Sequence, residues 1–314
     1  MQTLTDFVIS QIHERLRELG DKLVDTGNLI NWQGFRPMLE SLYDNKTGRG
    51  GRRNIDVIIM LKALFIQQLY SLSDEQLERE LTDRISFRAF LGSAEIIPDS
   101  TTVWRFRERL VESGKDNEVW NELQRQLDAM NLRVKKGVIQ DATFITADPG
   151  HAKKDTPRGD EAKTRRSKDG TWAKKGTKSY FGYKAHGEID VDYGLIRKIE
   201  VTTASVHDSQ VDLAEKGQVR YADKGYFGAE TKGYDASMRK AARGHPLSYN
   251  DEMRNKRISR IRSPVERIFA FIKRICSAGH VMVTTVARVR VKMIITGIVF
   301  NYYHLSAALS KVKA

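Results

Sequence analysis

The sequence predicts two folding regimes in one chain: an all-α bundle to about residue 130, then a mixed α/β sheet with three antiparallel strands first. Three observations predict it. Apolar residues recur at helical spacing through the first part, the period changes from 3.6 to 2 around Leu132, and the following elements read β-β-β-α-β before an apolar-faced helix. At 314 residues the chain can hold two domains, placed here at 1–130 and 131–314, with a short insertion at about 228–258.

The early elements follow from spacing and punctuation. Residues 2–45 read as helical, with Phe7, Ile12, Leu16, Leu19 and Leu23 on one face, a break near Gly27 and Asn28, and a second helix over 33–43. The segment 45–54, NKTGRGGRRN, is a loop, because its glycines resist regular structure and its cations keep it solvated. It is either a linker or a segment lying along a phosphate backbone. Residues 55–70 are apolar enough for a buried helix, and Ser73 with Gln76 three positions on marks the next start. A short helix over 86–91 stops at Gly92. Asp99 or Ser100 then caps TTVWRFRERLVE, in which Arg105 and Arg109 share a face and Arg107 points elsewhere. Short helices ending in an Arg-studded one look like a helix-turn-helix bundle, which either contacts DNA or only packs.

In the second regime, 137–146 is a strand and 151–178 a long polar loop rich in cations, with Trp172 available to stack on a base. Residues 180–189 and 195–203 are strands joined through Asp192, Tyr193 and Gly194. A short helix over 206–216 and a strand over 219–223 follow. Residues 281–292 fit strand or helix, and 294–309 close the chain as a helix.

Charge narrows the partners. The formal net charge is +13, unevenly spread: residues 1–130 hold 17 Lys and Arg against 21 Asp and Glu, a net of −4, and the rest hold 36 against 19, a net of +17. A positive field of that size predicts a polyanion, most often nucleic acid. No basic amphipathic helix with bulky apolar anchors argues for a membrane surface. The one cysteine, Cys276, excludes an internal disulfide and fits a reducing compartment. No signal-peptide pattern opens the sequence, and the apolar run 293–300 is too short to span a bilayer. These features predict a soluble, cytoplasmic, nucleoid-associated protein.

Three acids stand out. Asp141 is the charged residue inside the apolar strand 137–146, where a carboxylate is costly unless paired or bound to metal. Asp223 ends the strand VRYAD before a Gly turn, where α/β folds place ligands, although taken alone an Asx-turn is the simpler account of it. Glu266 lies in SRIRSPVERIFAFIKRI, within about 20° of Lys273 on a helical wheel. Val265, Ile268, Phe269 and Ile272 form the core stripe beside them, and Ser263-Pro264 with Glu266 also fits a capping box. If the first strand lies beside the fourth, Asp141 and Asp223 face each other and the helix brings Glu266 to them. Oxygen ligands of that kind select Mg²⁺ or Mn²⁺, and two such ions about 4 Å apart can drive phosphodiester chemistry.

IQDATFI, YFGYKAH, VRYADKGYFG and RIRSPVERIFAFIKR, in this order, resemble the DDE transposases of bacterial and archaeal insertion sequences, in the branch named for insertion sequence five. The signature Tyr-x2-Arg-x3-Glu-x6-Lys falls on Arg262, Glu266 and Lys273, with Ser259 in place of the tyrosine. The segments from GRGGRRNIDVIIMLKAL to IPDSTTVWRFRERL are similar to the same branch. The resemblance implies a ribonuclease-H-like catalytic domain with Asp141, Asp223 and Glu266 as catalytic, metal-holding acids for two Mg²⁺ or Mn²⁺ ions. It implies that Arg262 and Lys273 contact DNA near the scissile phosphate. It also implies a homodimer that binds terminal inverted repeats in a synaptic complex, cuts the element free and joins its 3′ ends to target DNA. Lys184 and Lys224 are further backbone-contact candidates, each equally readable as a surface lysine. His186 and His207 lack metal-ligand spacing and read as hydrogen-bonded structural residues. Two rivals stand beside this reading: a structure-specific endonuclease on the same fold, and a transposase-derived DNA-binding protein without activity.

Overall fold

The computed structural model describes residues 29–44, 54–92, 96–150 and 167–313, with isolated positions between 11 and 23. The chain divides into one compact unit of Met1–Asn131 with Ile294–Ser310, and another of Leu132–Met293 with Lys311–Ala314.

In the first unit a 3-10 turn at Trp32–Phe35 leads into α1 (Arg36–Glu40). There follow α2 (Val57–Leu69), α3 (Asp74–Asp83), α4 (Ile85–Phe90), α5 (Ser100–Ser113) and α6 (Asp116–Ala129). Helix α2 is apolar around most of its circumference and is accordingly buried along its length, from Val57 to Gln68. Its start is capped by Asp56, which accepts from the Ile58 amide at 2.8 Å. The predicted capping box forms in both directions: the Gln76 amide donates to Ser73 Oγ at 3.1 Å and the Ser73 amide to Gln76 Oε1 at 2.9 Å. Asp99 caps α5, and Gly114 ends it with φ 65°, a left-handed turn that glycine adopts without strain. The sequence assigns no element to 116–129, yet Val119, Trp120, Leu123 and Leu127 form a buried stripe there. Of the predicted 2–45 helices and the 45–54 loop, most positions before 29 and all of 45–53 lie outside the described residues.

The second unit holds β1 (Val138–Ala147), β2 (Thr171–Lys175), β3 (Lys178–Asp190), β4 (Ile196–Thr203), β5 (Val219–Ala222), β6 (Tyr234–Ser237) and β7 (His280–Val281). Its helices are α7 (Tyr249–Arg262) and α8 (Pro264–Arg274), and α9 (Val286–Lys313) begins here. The described strands make one seven-stranded sheet in the order β2-β3-β1-β5-β6, with β4 also on β3 and β7 on β1. β3 runs antiparallel to β1, whereas β5 runs parallel to β1 and β6 parallel to β5. This is the predicted architecture: a ribonuclease-H-like mixed sheet with flanking helices, preceded by an all-α region. Gly182 shows how tightly it is built. Its φ is 151°, and a Cβ there would meet Ile145 O at 2.1 Å, so the β1–β3 ladder requires glycine at this point.

Several elements differ from expectation. In the 151–178 stretch, 151–166 lie outside the described residues, and 171–175 form β2, whose Trp172 ring packs edge-on to Phe181 at 5.4 Å. The helix expected over 206–216 is only a 3-10 turn at Asp208–Gln210. The Gln140 side chain satisfies the backbone there instead, donating to Val211 O and accepting from the Leu213 amide at 3.1 Å. The stretch read as an insertion supplies β6 and most of α7. The sequence places all of 131–314 in one domain, but Ile294–Ser310 packs with the helical unit, where Tyr302 sits 4.6 Å from Phe65 and 6.1 Å from Trp32 between ring centroids. Helix α9 also carries the apolar run well beyond 293–300. Its Val286–Val312 span is long and apolar enough to cross a membrane, and 67% of that window is buried within the protein, as in a core helix.

Candidate active site

β1 and β5 run side by side with Val138 opposite Arg220 and Ile139 opposite Tyr221. Carrying that register three residues forward sets Asp141 beside Asp223, so both acids project to one side of the sheet from neighbouring parallel chains, which lie about 4.8 Å apart. Asp223 sits just past β5, where its Oδ1 accepts from the Gly225 amide at 2.8 Å. The Asx-turn foreseen as the bland account is thus real, and it fixes the carboxylate at the strand end. Asp141 lies mid-strand, and its carboxyl is held above the usual range. Burial is the largest cause, with the Asp223 charge adding to it and the Arg262 guanidinium and Ala142 amide opposing.

Behind β5, the guanidinium of Arg220 is fully buried between Asp212 at 3.4 Å and Asp235 at 3.2 Å, 5.7 Å from the Tyr226 ring. It ties β5 to β6 and so steadies the strand that delivers Asp223. Tyr226 is 1% exposed, and the Gln140 side chain is the polar group that interacts with its hydroxyl. Burial, followed by the charges of Asp208, Asp141 and Asp223, drives its pKa upward, so it stays a neutral donor among three acids.

Helix α8 presents Val265, Ile268 and Ile272 inward, as its amphipathic spacing demands. Phe269, partly exposed, packs over Gly187, the residue paired with Asp141 across the β1–β3 ladder. The capping alternative for Glu266 fails. Ser263 has helical dihedrals, makes no cap bond, and donates its hydroxyl to Arg260 O at 3.0 Å. Arg262 and Glu266 therefore stand one turn apart on nearly continuous helix. Arg262 Nη2 donates to Asp141 Oδ2 at 2.8 Å, while Glu266 is exposed. Among the described residues, no three His, Cys, Asp or Glu side chains are grouped closely enough to hold a metal ion. The structure thus brings Asp141, Asp223 and Arg262 together, while Glu266, one turn beyond Arg262, is exposed and not grouped with the two aspartates.

The remaining candidates sort clearly. A cleft of about 550 Å³ along β1 is lined by Ala142, Phe144, Lys174, Tyr180, Lys184, Asp208 and Lys273 among others. Lys273 lines this cleft, which Asp141, Asp223 and Arg262 do not. Lys184 is not a surface lysine: its ammonium donates to Val206 O at 2.7 Å and pairs with Asp208 at 2.8 Å. Lys224 is exposed in the turn after Asp223. In the first unit Arg105 is exposed, Arg109 lies 4.4 Å over the Tyr43 ring, and Arg107 is taken up by a two-point pair with Asp74 at 2.7 and 2.9 Å. His186 is buried against Thr202 Oγ1 at 2.8 Å, and burial lowers its pKa to about 4. His207 caps the 3-10 turn through Ser209. Both act structurally, as expected.

Sequence reasoning passed over Asp208 and Tyr226. The one available signal for Tyr226 was its position three residues after Asp223 in a turn-forming stretch. Nothing in SVHDSQ separated Asp208 from an ordinary loop acid.

Paired oxygen donors with no soft ligand beside them suit a hard divalent ion in kind. With its sheet order and adjacent strand-borne aspartates, the second unit is a ribonuclease-H-like domain with an acidic site where β1 meets β5. A family model described as Transposase DDE domain matches residues 132–302, and one described as Transposase domain (DUF772) matches residues 10–109. The chain belongs to the DDE transposase family and has the two-part architecture typical of insertion-sequence transposases. No solved structure matches it.

Proposed function

We propose that this transposase, of the branch named for insertion sequence five, binds the terminal inverted repeats of its own element, cleaves at the ends and joins the 3′ ends to target DNA. The observation that carries this reading is the register that sets Asp141 beside Asp223 on adjacent parallel strands, with the Asp223 charge felt at Asp141. Asp141 and Asp223, with Glu266 one helix away, are the acids that would hold two Mg²⁺ or Mn²⁺ ions. Bound there, such ions would activate a water or 3′-hydroxyl and stabilise the departing oxygen.

The chain's own residues hold and orient the DNA. Lys273 lines the cleft along β1 and Lys224 is exposed next to Asp223, and both would meet a phosphate backbone; Lys184 would do so only by leaving Asp208. Arg262 stands nearest the acids. In the helical unit the exposed Arg105 would meet duplex phosphates, and Arg109, over the Tyr43 ring, would join it. Two copies acting on paired ends, in the cytoplasm at the nucleoid, complete the proposal.

Asp141→Asn should abolish Mg²⁺-dependent cleavage of end-bearing DNA without weakening DNA binding. Survival of cleavage in that variant would remove Asp141 from the chemistry. One observation favours a second reading, a DNA-binding protein without activity: Glu266 is not grouped with the two aspartates. Strand transfer with pre-cut ends separates the two. Joined product requires the enzyme, and none at any divalent-ion concentration supports the binder.

A further inference from the structure

We infer that Arg262 is a built-in counter-ion that holds the acidic site closed to divalent metal until DNA arrives. The inference rests on the metal-holding role proposed for Asp141.

The geometry is specific. Arg262 Nη2 occupies Asp141 Oδ2 at 2.8 Å, and Asp141 Oδ1 is turned to the Ala142 amide at 2.8 Å. Both side chains are mostly buried, at 16% and 21% exposure. Each oxygen of Asp141 already accepts one hydrogen bond, and an ion approaching Oδ2 meets the guanidinium's positive charge, so metal and Arg262 compete for this acid. Yet the guanidinium itself is poorly satisfied. It has five N–H donors. Its Nη1 reaches only Met238 Sδ at 3.9 Å, and its Nε is buried with no partner among the described residues. A carboxylate met end-on by one nitrogen gives up the two-point geometry that makes Arg pairs strong. A DNA phosphate can offer that geometry.

Arg262 is therefore poised between two anions. In the free protein it neutralises Asp141 beside Asp223, which keeps two adjacent carboxylates tolerable without metal. When a phosphate captures it, Asp141 is released to bind an ion, and DNA binding and metal binding become mutually reinforcing, as linkage requires. Cleavage chemistry is then assembled only on DNA.

Two measurements test this without relying on turnover. The first is Mn²⁺ binding by the full chain in the absence of DNA, followed by electron paramagnetic resonance. Arg262→Gln should bind Mn²⁺ about tenfold more tightly than wild type, the factor expected for removing one charge-assisted competitor. Asp141→Asn in that background should abolish the gain. Equal, Asp141-dependent affinities in both proteins would overturn the counter-ion role while leaving the metal site standing. Mn²⁺ binding that ignores Asp141 in both proteins would sink the metal reading and this inference together.

The second measurement uses no metal. In EDTA, Asp141→Asn should tighten binding to a generic duplex oligonucleotide several-fold by releasing Arg262, and the gain should vanish when Arg262 is already Gln. Asp223→Asn, which removes a neighbouring charge not paired to Arg262, controls for simple loss of repulsion. If Asp223→Asn gives the same gain as Asp141→Asn, or if the gain persists without Arg262, the exchange does not occur.

Discussion

Glu188 offers a test of the electrostatics beneath the site. It lies opposite Gln140 in the β1–β3 ladder, one step from Asp141, and is 1% exposed. Its Oε2 has no hydrogen-bond partner among the described residues, and the nearest cation, Lys198, stands 3.7 Å away. Burial raises its carboxyl from 4.5 to about 7, with Lys198 only partly offsetting the cost. The folded chain therefore holds this proton more tightly than the unfolded chain does. The stability it brings is complete below about pH 4.5 and is lost as pH rises through about 7. At about 1.4 kcal/mol per pKa unit, the full swing is on the order of 3 kcal/mol. Glu188→Gln keeps the shape and removes the titration. Relative to wild type, the variant should gain about 2–3 kcal/mol between about pH 5 and pH 8. Urea unfolding of both proteins at the two pH values measures this, and the difference cancels the other carboxylates. A wild-type-to-variant gap that does not change with pH would show that Glu188 ionises normally and that burial at β3 costs nothing.

Two further outcomes follow from single features. Ser73→Ala removes the hydroxyl half of the capping box at the start of α3, leaving the Gln76 amide without its acceptor, and should lower the stability of the helical unit by about 1 kcal/mol, read as a shift in its urea midpoint. Cys276 is fully buried and its thiol is pushed up to about 12, so iodoacetamide near pH 8 should label the unfolded chain and leave the native one intact. Rapid native labelling, tracked by mass spectrometry, would contradict that packing.

What could be read ahead of the structure divides along a physical line. Local codes were legible because they are made by neighbours in sequence: Ser73 with Gln76, Asp99 before α5, the change of period near Leu132, and the alternation that became β1, β3 and β4. The adjacency of β1 and β5 was the one long-range guess that mattered, and the register of Val138 with Arg220 shows why it could be made. Two apolar strands each ending in, or interrupted by, a lone acid leave few other ways to bring those acids out of the core. What escaped depends on partners remote in sequence. The 206–216 segment carries helical spacing, but Gln140, some 70 residues earlier, supplies the hydrogen bonds that a helix would have made for itself. Lys184 looks like any strand lysine until Asp208 arrives from the other side of β4 to pair with it. The same reasoning applies to Arg262. Its spacing to Glu266 and Lys273 marks a helix face, whereas its bond to Asp141, 121 positions away, exists only once the sheet is built. A cation read from sequence as reaching for phosphate is thus found on a carboxylate. Beside paired acids the guanidinium offsets part of the cost of burying Asp141, although burial still outweighs that help and keeps the carboxyl above its usual range.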